Sequence, residues 1–275
     1  MTDHPNPLLG DTPFEQLTYL MAKLRDPNGG CPWDREQTFA TIAPYTIEEA
    51  YEVQEEIETR NMSELKEELG DLLFQVIFHS QMAAEAGEFT INDVVTAIND
   101  KMLRRHPHVF GDAEERSSKM QEDAWEAQKA SERAAKASRN GPASALDGVA
   151  SALPALTRSA KIQKRAARTG FDWTNPEDIF DKLHEEIGEV REAMLGQDIS
   201  DIEEEIGDLL FVAANLARRL KVEPEQALRK ANAKFVRRFK AMEAMARETK
   251  SDFDSLSLEE QEALWQSVKR AEKKI

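Results

Sequence analysis

The stretch Glu67-Glu68-Leu69-Gly70-Asp71-Leu72-Leu73-Phe74 occurs a second time in the chain, as Glu204-Glu205-Ile206-Gly207-Asp208-Leu209-Leu210-Phe211. Each copy follows a Glu-Glu-x-x-Glu motif, which stands at residues 48–52 and again at residues 185–189. All of these positions are separated by 137 residues. A motif pair that recurs at a constant, domain-sized distance predicts two copies of one domain.

Two further blocks recur in the same order and support the duplication. Asn99-x-Lys101-x-x-Arg104-Arg105 returns as Asn232-x-Lys234-x-x-Arg237-Arg238, and Trp125-x-x-x-Lys129 returns as Trp265-x-x-x-Lys269. Between these halves the sequence loses large apolar residues and collects Ala, Ser, Gly and Pro, which is typical of a linker. We therefore expect a first repeat at residues 12–133, a linker at residues 134–155 and a second repeat at residues 156–275.

The spacing of apolar residues predicts helices throughout. Leu65, Leu69, Leu72, Leu73 and Val76 recur at helical intervals, and the strict alternation of strands is missing. The predicted fold is all-α, a tandem duplication of a helical-bundle domain. Residues that cap helices precede the periodic segments, and they predict helix starts at Thr12, Thr46, Ser63, Thr90, Asn175, Ser200 and Ser257.

Composition limits the classes of partner and compartment. The chain has 36 basic and 52 acidic residues, a net charge of −16, which disfavours binding of nucleic acid by phosphate neutralisation. Its single cysteine, Cys31, leaves no internal disulfide and fits a reducing compartment. No apolar run is long enough for a membrane span and the first ten residues do not resemble a secretory leader. We expect a cytoplasmic protein without nucleic-acid or membrane partners.

The repeated carboxylates are spaced to share helix faces. On a helix, Glu186 and Glu189 lie side by side, as do Glu205 and Asp208. Two such helices packed together would bring four carboxylates into one place, where like charges 4 Å apart repel by about 4 kcal/mol per pair. A bound cation would offset this repulsion, and ligands without His or Cys favour Mg²⁺ or Mn²⁺ over zinc. One such pair would fit a solvated helix face, but the recurrence of both motifs favours a metal site. The first-repeat counterparts are Glu49, Glu52, Glu68 and Asp71.

Basic and aromatic residues in the second repeat are suited to a nucleotide. Lys234 and Arg238 share a helix face and could point at one anion, and Trp265 and Lys269 could contact a base and a phosphate. Each residue alone would fit an ordinary surface charge or a packing anchor. Beside a metal-binding carboxylate cluster, they are consistent with a nucleoside polyphosphate site.

These motifs resemble the two-repeat MazG family of all-α nucleoside triphosphate pyrophosphohydrolases. The segment Gly30-Cys31-Pro32-Trp33-Asp34-Arg35-Glu36-Gln37-Thr38 and the following residues 44–49 are similar to that family's first-repeat signature. Gly170-Phe171-Asp172-Trp173 is similar to the segment that leads into its second repeat. The resemblance covers nearly the whole chain, from about residue 14 to residue 269.

The resemblance implies a reaction and assigns roles. It implies Mg²⁺-dependent hydrolysis of nucleoside triphosphates to monophosphate and pyrophosphate, with tolerance of many bases, and a homodimer. By this analogy the second repeat is catalytic and the first contributes to dimer architecture, although the first retains all four carboxylates. The implied metal ligands are Glu186, Glu189, Glu205 and Asp208. From the chemistry of such a site, a neighbouring carboxylate that is not committed to the metal, Glu185 or Glu204, is expected to accept the proton of the attacking water. The expected substrate-binding residues are Glu185, Lys234, Arg238, Trp265 and Lys269.

Three other functions remain open from the sequence. A di-iron carboxylate bundle would use Glu-x-x-His on two helices, and no His follows these glutamates by three residues. A narrower pyrophosphohydrolase for dUTP or phosphoribosyl-ATP would share the metal site and differ in its base pocket. A helical scaffold that binds a partner protein would have no metal-dependent activity. A P-loop NTPase is disfavoured because the phosphate-binding glycine motif is missing.

Overall fold

The computed structural model describes residues 10–111, 144–248 and 252–272, and over these ranges it contains helices and no strand. The helices are α1 (Pro13–Leu24), α2 (Pro32–Glu36), α3 (Phe39–Thr59), α4 (Met62–Glu85), α5 (Ile91–Arg105), α6 (Pro107–Phe110), α7 (Ala155–Ala167), α8 (Glu177–Gly196), α9 (Ile199–Arg219), α10 (Pro224–Glu248) and α11 (Leu258–Glu272), with a short 3₁₀ turn at Phe253–Ser255. The all-α prediction is confirmed.

The chain divides into two compact units, Met1–Gln128 and Lys129–Ile275. In the first unit, α3 packs along α4, and α1 and α5 also contact α4. The core of this unit is a cluster of buried side chains contributed by α1, α3 and α4: Met21, Ile42, Ile77, Phe78 and Met82. The α3–α4 pair is therefore the framework on which the first set of carboxylates is mounted.

The second unit is built on the same plan. Helix α8 packs along α9, α7 contacts both α9 and α10, and α10 packs against α11. The most buried side chains of this unit include Ile179 on α8, Val212 on α9 and Val268 on α11. The α8–α9 pair thus corresponds to the α3–α4 pair, as the duplication predicts.

Two equivalent tight turns close these helix pairs. Only two residues separate α3 from α4, and two separate α8 from α9. Arg60 and Gln197, which are 137 residues apart, both adopt a left-handed backbone conformation, with φ of 60° and 58°. A left-handed residue ends a helix and reverses the chain, so each pair forms an antiparallel hairpin.

Some of the predicted helix starts are confirmed, others are displaced by one or two residues, and one is wrong. Thr12 and Thr90 cap α1 and α5, and Ser257 directly precedes α11. Three other starts are displaced by one or two residues, because Asn61 and Asp198 cap α4 and α9, and α8 begins at Glu177. The start at Thr46 is wrong: α3 begins at Phe39, capped by Thr38, and continues through Pro44.

The predicted linker falls partly outside the described residues. Residues 134–143 of it lie outside them, and residues 144–154 form turns before α7 begins at Ala155. Within the described parts of the chain, no helix has the length and apolar character needed to cross a membrane.

Candidate functional site

Each helical hairpin places one predicted carboxylate set on two facing helices. Glu49 and Glu52 lie on α3, opposite Glu68 and Asp71 on α4. In the second unit, α8 carries Glu186 and Glu189, and α9 carries Glu205 and Asp208. The antiparallel packing of the hairpins is what brings residues that are about 20 positions apart in sequence to the same level.

The first acidic cluster consists of Glu49, Glu68 and Asp71. One carboxylate oxygen of each of the three lies within 4.8 Å of the others. Partial burial raises the pKa of Glu49, and the adjacent carboxyl groups of Glu52 and Asp71 raise it further. The pKa of Glu68 is raised by the same causes, burial first and then repulsion from Glu52 and Asp71. Glu52 therefore lies close enough to influence the cluster, but outside its compact group of three.

The second acidic cluster consists of the equivalent residues Glu186, Glu205 and Asp208, again with one oxygen of each within 4.8 Å of the others. Glu186 is 3% exposed, and its Oε2 is buried without a hydrogen-bond partner. Partial burial and the negative charges of Asp208 and Glu186 raise the pKa of Glu205. The pKa of Glu189 is also raised, by burial and then by its acidic neighbours Glu186 and Glu205.

A lysine joins the second acidic cluster. Lys182 Nζ lies 2.7 Å from Glu185 Oε1 and 2.8 Å from Glu186 Oε1. Hydrogen bonds to these two carboxylates raise the pKa of Lys182, so it stays charged near neutral pH. Glu185, one of the two predicted general bases, is thus linked to Glu186 through one ammonium group. Glu204, the other assigned base, is exposed on α9.

Both clusters have the donor chemistry of a site for a hard divalent cation. Three carboxylate oxygens converge, and the buried Oε2 of Glu186 lacks the hydrogen bond that a buried oxygen normally makes. Burial, and after it repulsion from neighbouring carboxylates, raises the pKa of Glu189 and of Glu205 even though Lys182 lies nearby, so a bound divalent cation would stabilise the ionised set. All-oxygen sets of this kind suit Mg²⁺ or Mn²⁺, so the residues present fit a metal ion.

The predicted substrate-binding residues of α10 and α11 lie on facing helices. The guanidinium of Arg238 on α10 stacks over the Trp265 ring of α11, 5.4 Å from its centroid. Glu272, at the end of α11, accepts hydrogen bonds from both Arg237 and Arg238. Lys234 is exposed on α10 and Lys269 is half-buried on α11. The structure thus brings Arg238 and Trp265 into contact, and neither contacts the carboxylate cluster among the interactions of the described residues.

The first-repeat counterparts are only partly within the described structure. Lys101 and Arg105 lie on α5. Trp125 and Lys129, the counterparts of Trp265 and Lys269, lie outside the described residues.

Three residues at these sites were not identified from the sequence. Lys182 stands four residues before Glu186, and Gln75 stands four residues after Asp71, so helical spacing placed both beside the motifs. Glu272 stands seven residues after Trp265, as Glu132 stands seven after Trp125. Recurrence in both repeats could have identified Glu272, whereas only the helical spacing from the motifs pointed to Lys182 and Gln75.

Comparison with known proteins agrees with the duplicated site. The MazG nucleotide pyrophosphohydrolase domain matches residues 37–110 and 174–242, which contain both acidic clusters. A nucleoside triphosphate pyrophosphohydrolase of Escherichia coli (strain K12) is 50% identical over 263 residues, covering 94% of this chain and 98% of the relative.

Two further relatives extend across nearly the whole chain. A nucleoside triphosphate pyrophosphohydrolase/pyrophosphatase MazG of Thermotoga maritima is 45% identical, covering 93% of this chain and 95% of the relative. The YabN protein of Bacillus subtilis, which is uncharacterised, is 41% identical over 95% of this chain and 52% of its own length. With two matching domains and this full-length similarity, the chain belongs to the MazG nucleotide pyrophosphohydrolase family.

Proposed function

We propose that the chain hydrolyses nucleoside and deoxynucleoside triphosphates to monophosphate and pyrophosphate, that it requires Mg²⁺, and that it tolerates many bases. The observation that carries this proposal is the convergence of Glu186, Glu205 and Asp208 in a chain of this family. The relatives of E. coli and T. maritima are named nucleoside triphosphate pyrophosphohydrolases, which supports the same reaction here.

The proposed metal ligands are the carboxylates of α8 and α9, namely Glu186, Glu189, Glu205 and Asp208. A magnesium ion supplies charge neutralisation for the phosphate oxygens, and Mn²⁺ has the same ligand preference. Glu186 is the anchor of this set because it is buried and one of its oxygens lacks a partner. In the first repeat, Glu49, Glu52, Glu68 and Asp71 are the corresponding candidates.

The proposed general base is Glu185 or Glu204. Each is the neighbour of a proposed ligand and is exposed to solvent, so either carboxylate could accept a proton from an attacking water. Lys182 Nζ lies 2.7 Å from Glu185 Oε1 and so orients that carboxylate, which is also a proposed contact of the substrate.

Lys234, Arg238 and Lys269 are the proposed contacts of the triphosphate, and Trp265 is the proposed contact of the nucleoside. Arg238 stacks on Trp265, so one face of that ring is already occupied by a cation and its orientation is restricted. Stacking on an aromatic ring does not distinguish one base from another. This arrangement is consistent with broad base tolerance.

We also propose that the protein acts as a homodimer, because equivalent apolar side chains are exposed on the hairpins of both repeats. In the first repeat these are Ile57, Met62, Leu69 and Leu73, and in the second they are Met194, Ile199, Ile206 and Leu210. Each residue of the first set is 137 positions from its counterpart in the second set. Apolar faces of this kind on monomeric proteins are uncommon.

The reaction is tested by product analysis with each common NTP and dNTP, with Mg²⁺ and with EDTA. The proposal expects monophosphate and pyrophosphate from most of them, and no turnover in EDTA. In H₂¹⁸O the label should enter the monophosphate, which shows attack at the α-phosphorus. Formation of diphosphate and orthophosphate, or turnover of a single nucleotide, would contradict the proposal.

A further inference from the structure

The two repeats carry the same carboxylates but differ in the charge beside them. Position 45 corresponds to position 182 through the same 137-residue separation that relates Glu49 to Glu186. The first is a tyrosine and the second is a lysine. Both lie four residues before the glutamate, so both are on its helix face.

In the second repeat the lysine is part of the acidic cluster. Lys182 Nζ lies 2.8 Å from Oε1 of the buried Glu186 and 2.7 Å from Oε1 of Glu185. An ammonium group at this distance offsets about one unit of the negative charge of the cluster. Because Glu186 is withdrawn from solvent, salt in solution screens this interaction only weakly.

In the first repeat the same position is neutral. Tyr45 packs its ring edge-on against Trp33, with the ring centroids 6.3 Å apart. The neighbour of Glu49 is Gln75, which is 8% exposed and donates from Nε2 to Glu49 Oε1 at 3.3 Å. An amide orients the carboxylate without adding a positive charge. The second repeat has Val212 where the first has Gln75.

We propose that Lys182 lowers the affinity of the second acidic cluster for a divalent cation, so that the first repeat retains its cation and the second exchanges one. The inference rests on the proposed function, in which both clusters bind the metal. A weak protein site suits a cation that is bound by a few carboxylates together with substrate phosphates. The first repeat would then hold a structural cation, and the second would release its cation with the product.

Reciprocal substitutions test this assignment by titration of the full-length chain with Mn²⁺, followed by electron paramagnetic resonance of the free ion. Asp71→Asn and Asp208→Asn identify which repeat each binding event belongs to. The wild-type chain should bind Mn²⁺ about tenfold or more tightly at the first repeat than at the second. Lys182→Met should raise the Mn²⁺ affinity of the second repeat to nearly that of the first, and Tyr45→Lys should lower the Mn²⁺ affinity of the first repeat.

Lys161→Met is the matched control, since it makes the same change in net charge on α7 and should leave both affinities unaltered. Circular dichroism of each variant establishes that it is folded. Equal wild-type affinities, or a second-repeat affinity unchanged in Lys182→Met, would overturn the inference while leaving the proposed metal site intact. Failure of the first repeat alone to bind Mn²⁺ would also overturn only the inference, whereas failure of the second repeat to bind it would overturn the inference and the proposed metal site together.

Discussion

At the scale of single residues, the acidic clusters link metal binding to pH. The pKa values of Glu49, Glu68, Glu189 and Glu205 are raised in the folded chain, chiefly by burial and then by neighbouring carboxylates. A raised folded-state pKa means that the native chain binds protons more tightly than the unfolded chain does. At these groups, acidification therefore favours the native state.

We expect Mg²⁺ to raise the melting temperature at about pH 7 and to do so less as the pH falls towards about 5. Protonation of the carboxylates and binding of Mg²⁺ both remove the repulsion between them. Mg²⁺ therefore stabilises the folded chain less when the carboxylates are already protonated. Calorimetry in Mg²⁺ and in EDTA across this range measures the difference. The double variant Asp71→Asn/Asp208→Asn should lose most of the increase in melting temperature that Mg²⁺ causes. An increase that does not depend on pH would contradict this explanation.

Gly30 shows how one residue shapes the turn that precedes α2. A Cβ on Gly30 would clash with the carbonyl oxygens of Leu24 and Asp26, which are backbone atoms that cannot rotate away. The neighbouring Gly29 has open space around its own Cβ position. Substitution of Gly29 is therefore a matched control for substitution of Gly30.

We expect Gly30→Ala to lower the free energy of unfolding by about 1–3 kcal/mol, because the turn must shift to relieve the clash. Gly29→Ala should be neutral or slightly stabilising, since it restricts the unfolded chain without a clash. Urea denaturation of both variants measures the difference. Equal effects of the two substitutions would show that the close approach at Gly30 does not hold in solution.

At the scale of elements, the start of α11 depends on a reciprocal cap. Ser257 Oγ accepts from the Glu260 backbone N–H, and the Glu260 carboxylate accepts from the backbone N–H and hydroxyl of Ser257. These bonds lower the pKa of Glu260. They fix the first turn of the helix that carries Trp265 and Lys269.

Ser257→Ala should lower the free energy of unfolding by about 1 kcal/mol and accelerate amide exchange in the first turn of α11. Ser267→Ala on the same helix removes a hydroxyl that donates to the Ala263 carbonyl and accepts from Arg270, and we expect a smaller effect because neither bond caps the first turn. Hydrogen exchange followed by mass spectrometry locates the change. Fraying along the whole helix in the control would contradict the role assigned to the cap.

Helix boundaries were predictable where a cap was explicit in the sequence and less so elsewhere. Thr12 with Glu15 and Thr90 with Asp93 form reciprocal caps, and both starts were predicted correctly. The start of α3 was missed because Thr38 pairs with Thr41 rather than with an acidic residue, and because Pro44 lies inside the helix. Packing of α3 along α4 stabilises a helix whose local sequence suggests an interruption.

At the scale of the whole molecule, the exposed hairpin faces predict assembly. Leu69 and Leu73 of α4 are 49% and 38% exposed, which leaves apolar surface uncovered in the single chain. We expect light scattering with size exclusion to give a dimer at micromolar concentration. The double variant Leu69→Glu/Leu73→Glu should shift the equilibrium towards monomer. Lys66→Glu, at an exposed site on the same helix, should leave the dimer unchanged. A wild-type monomer would contradict the proposed dimer.

The duplication made much of the architecture predictable, because two copies of a motif identify the positions that matter in each. Helical spacing predicted which carboxylates share a helix face, and the assumption that the two helices pack together predicted that they converge. Four were expected in each repeat, and three of them form the compact group. The partners of those carboxylates did not, since Lys182 and Gln75 occur in one repeat each and a search for repeated residues passes over them. The contact of Arg238 with Glu272 depends on how α10 packs against α11, which local sequence does not encode.

Matched isosteric variants of the two repeats test whether the second-repeat cluster performs the hydrolysis. Pyrophosphate release from Mg²⁺-nucleotide should be measured for Glu205→Gln and for its first-repeat counterpart Glu68→Gln. We expect the rate to fall about 100-fold or more in Glu205→Gln, and to stay within about threefold of wild type in Glu68→Gln. Equal losses in the two variants, or a larger loss in Glu68→Gln, would contradict the assignment of catalysis to the second repeat.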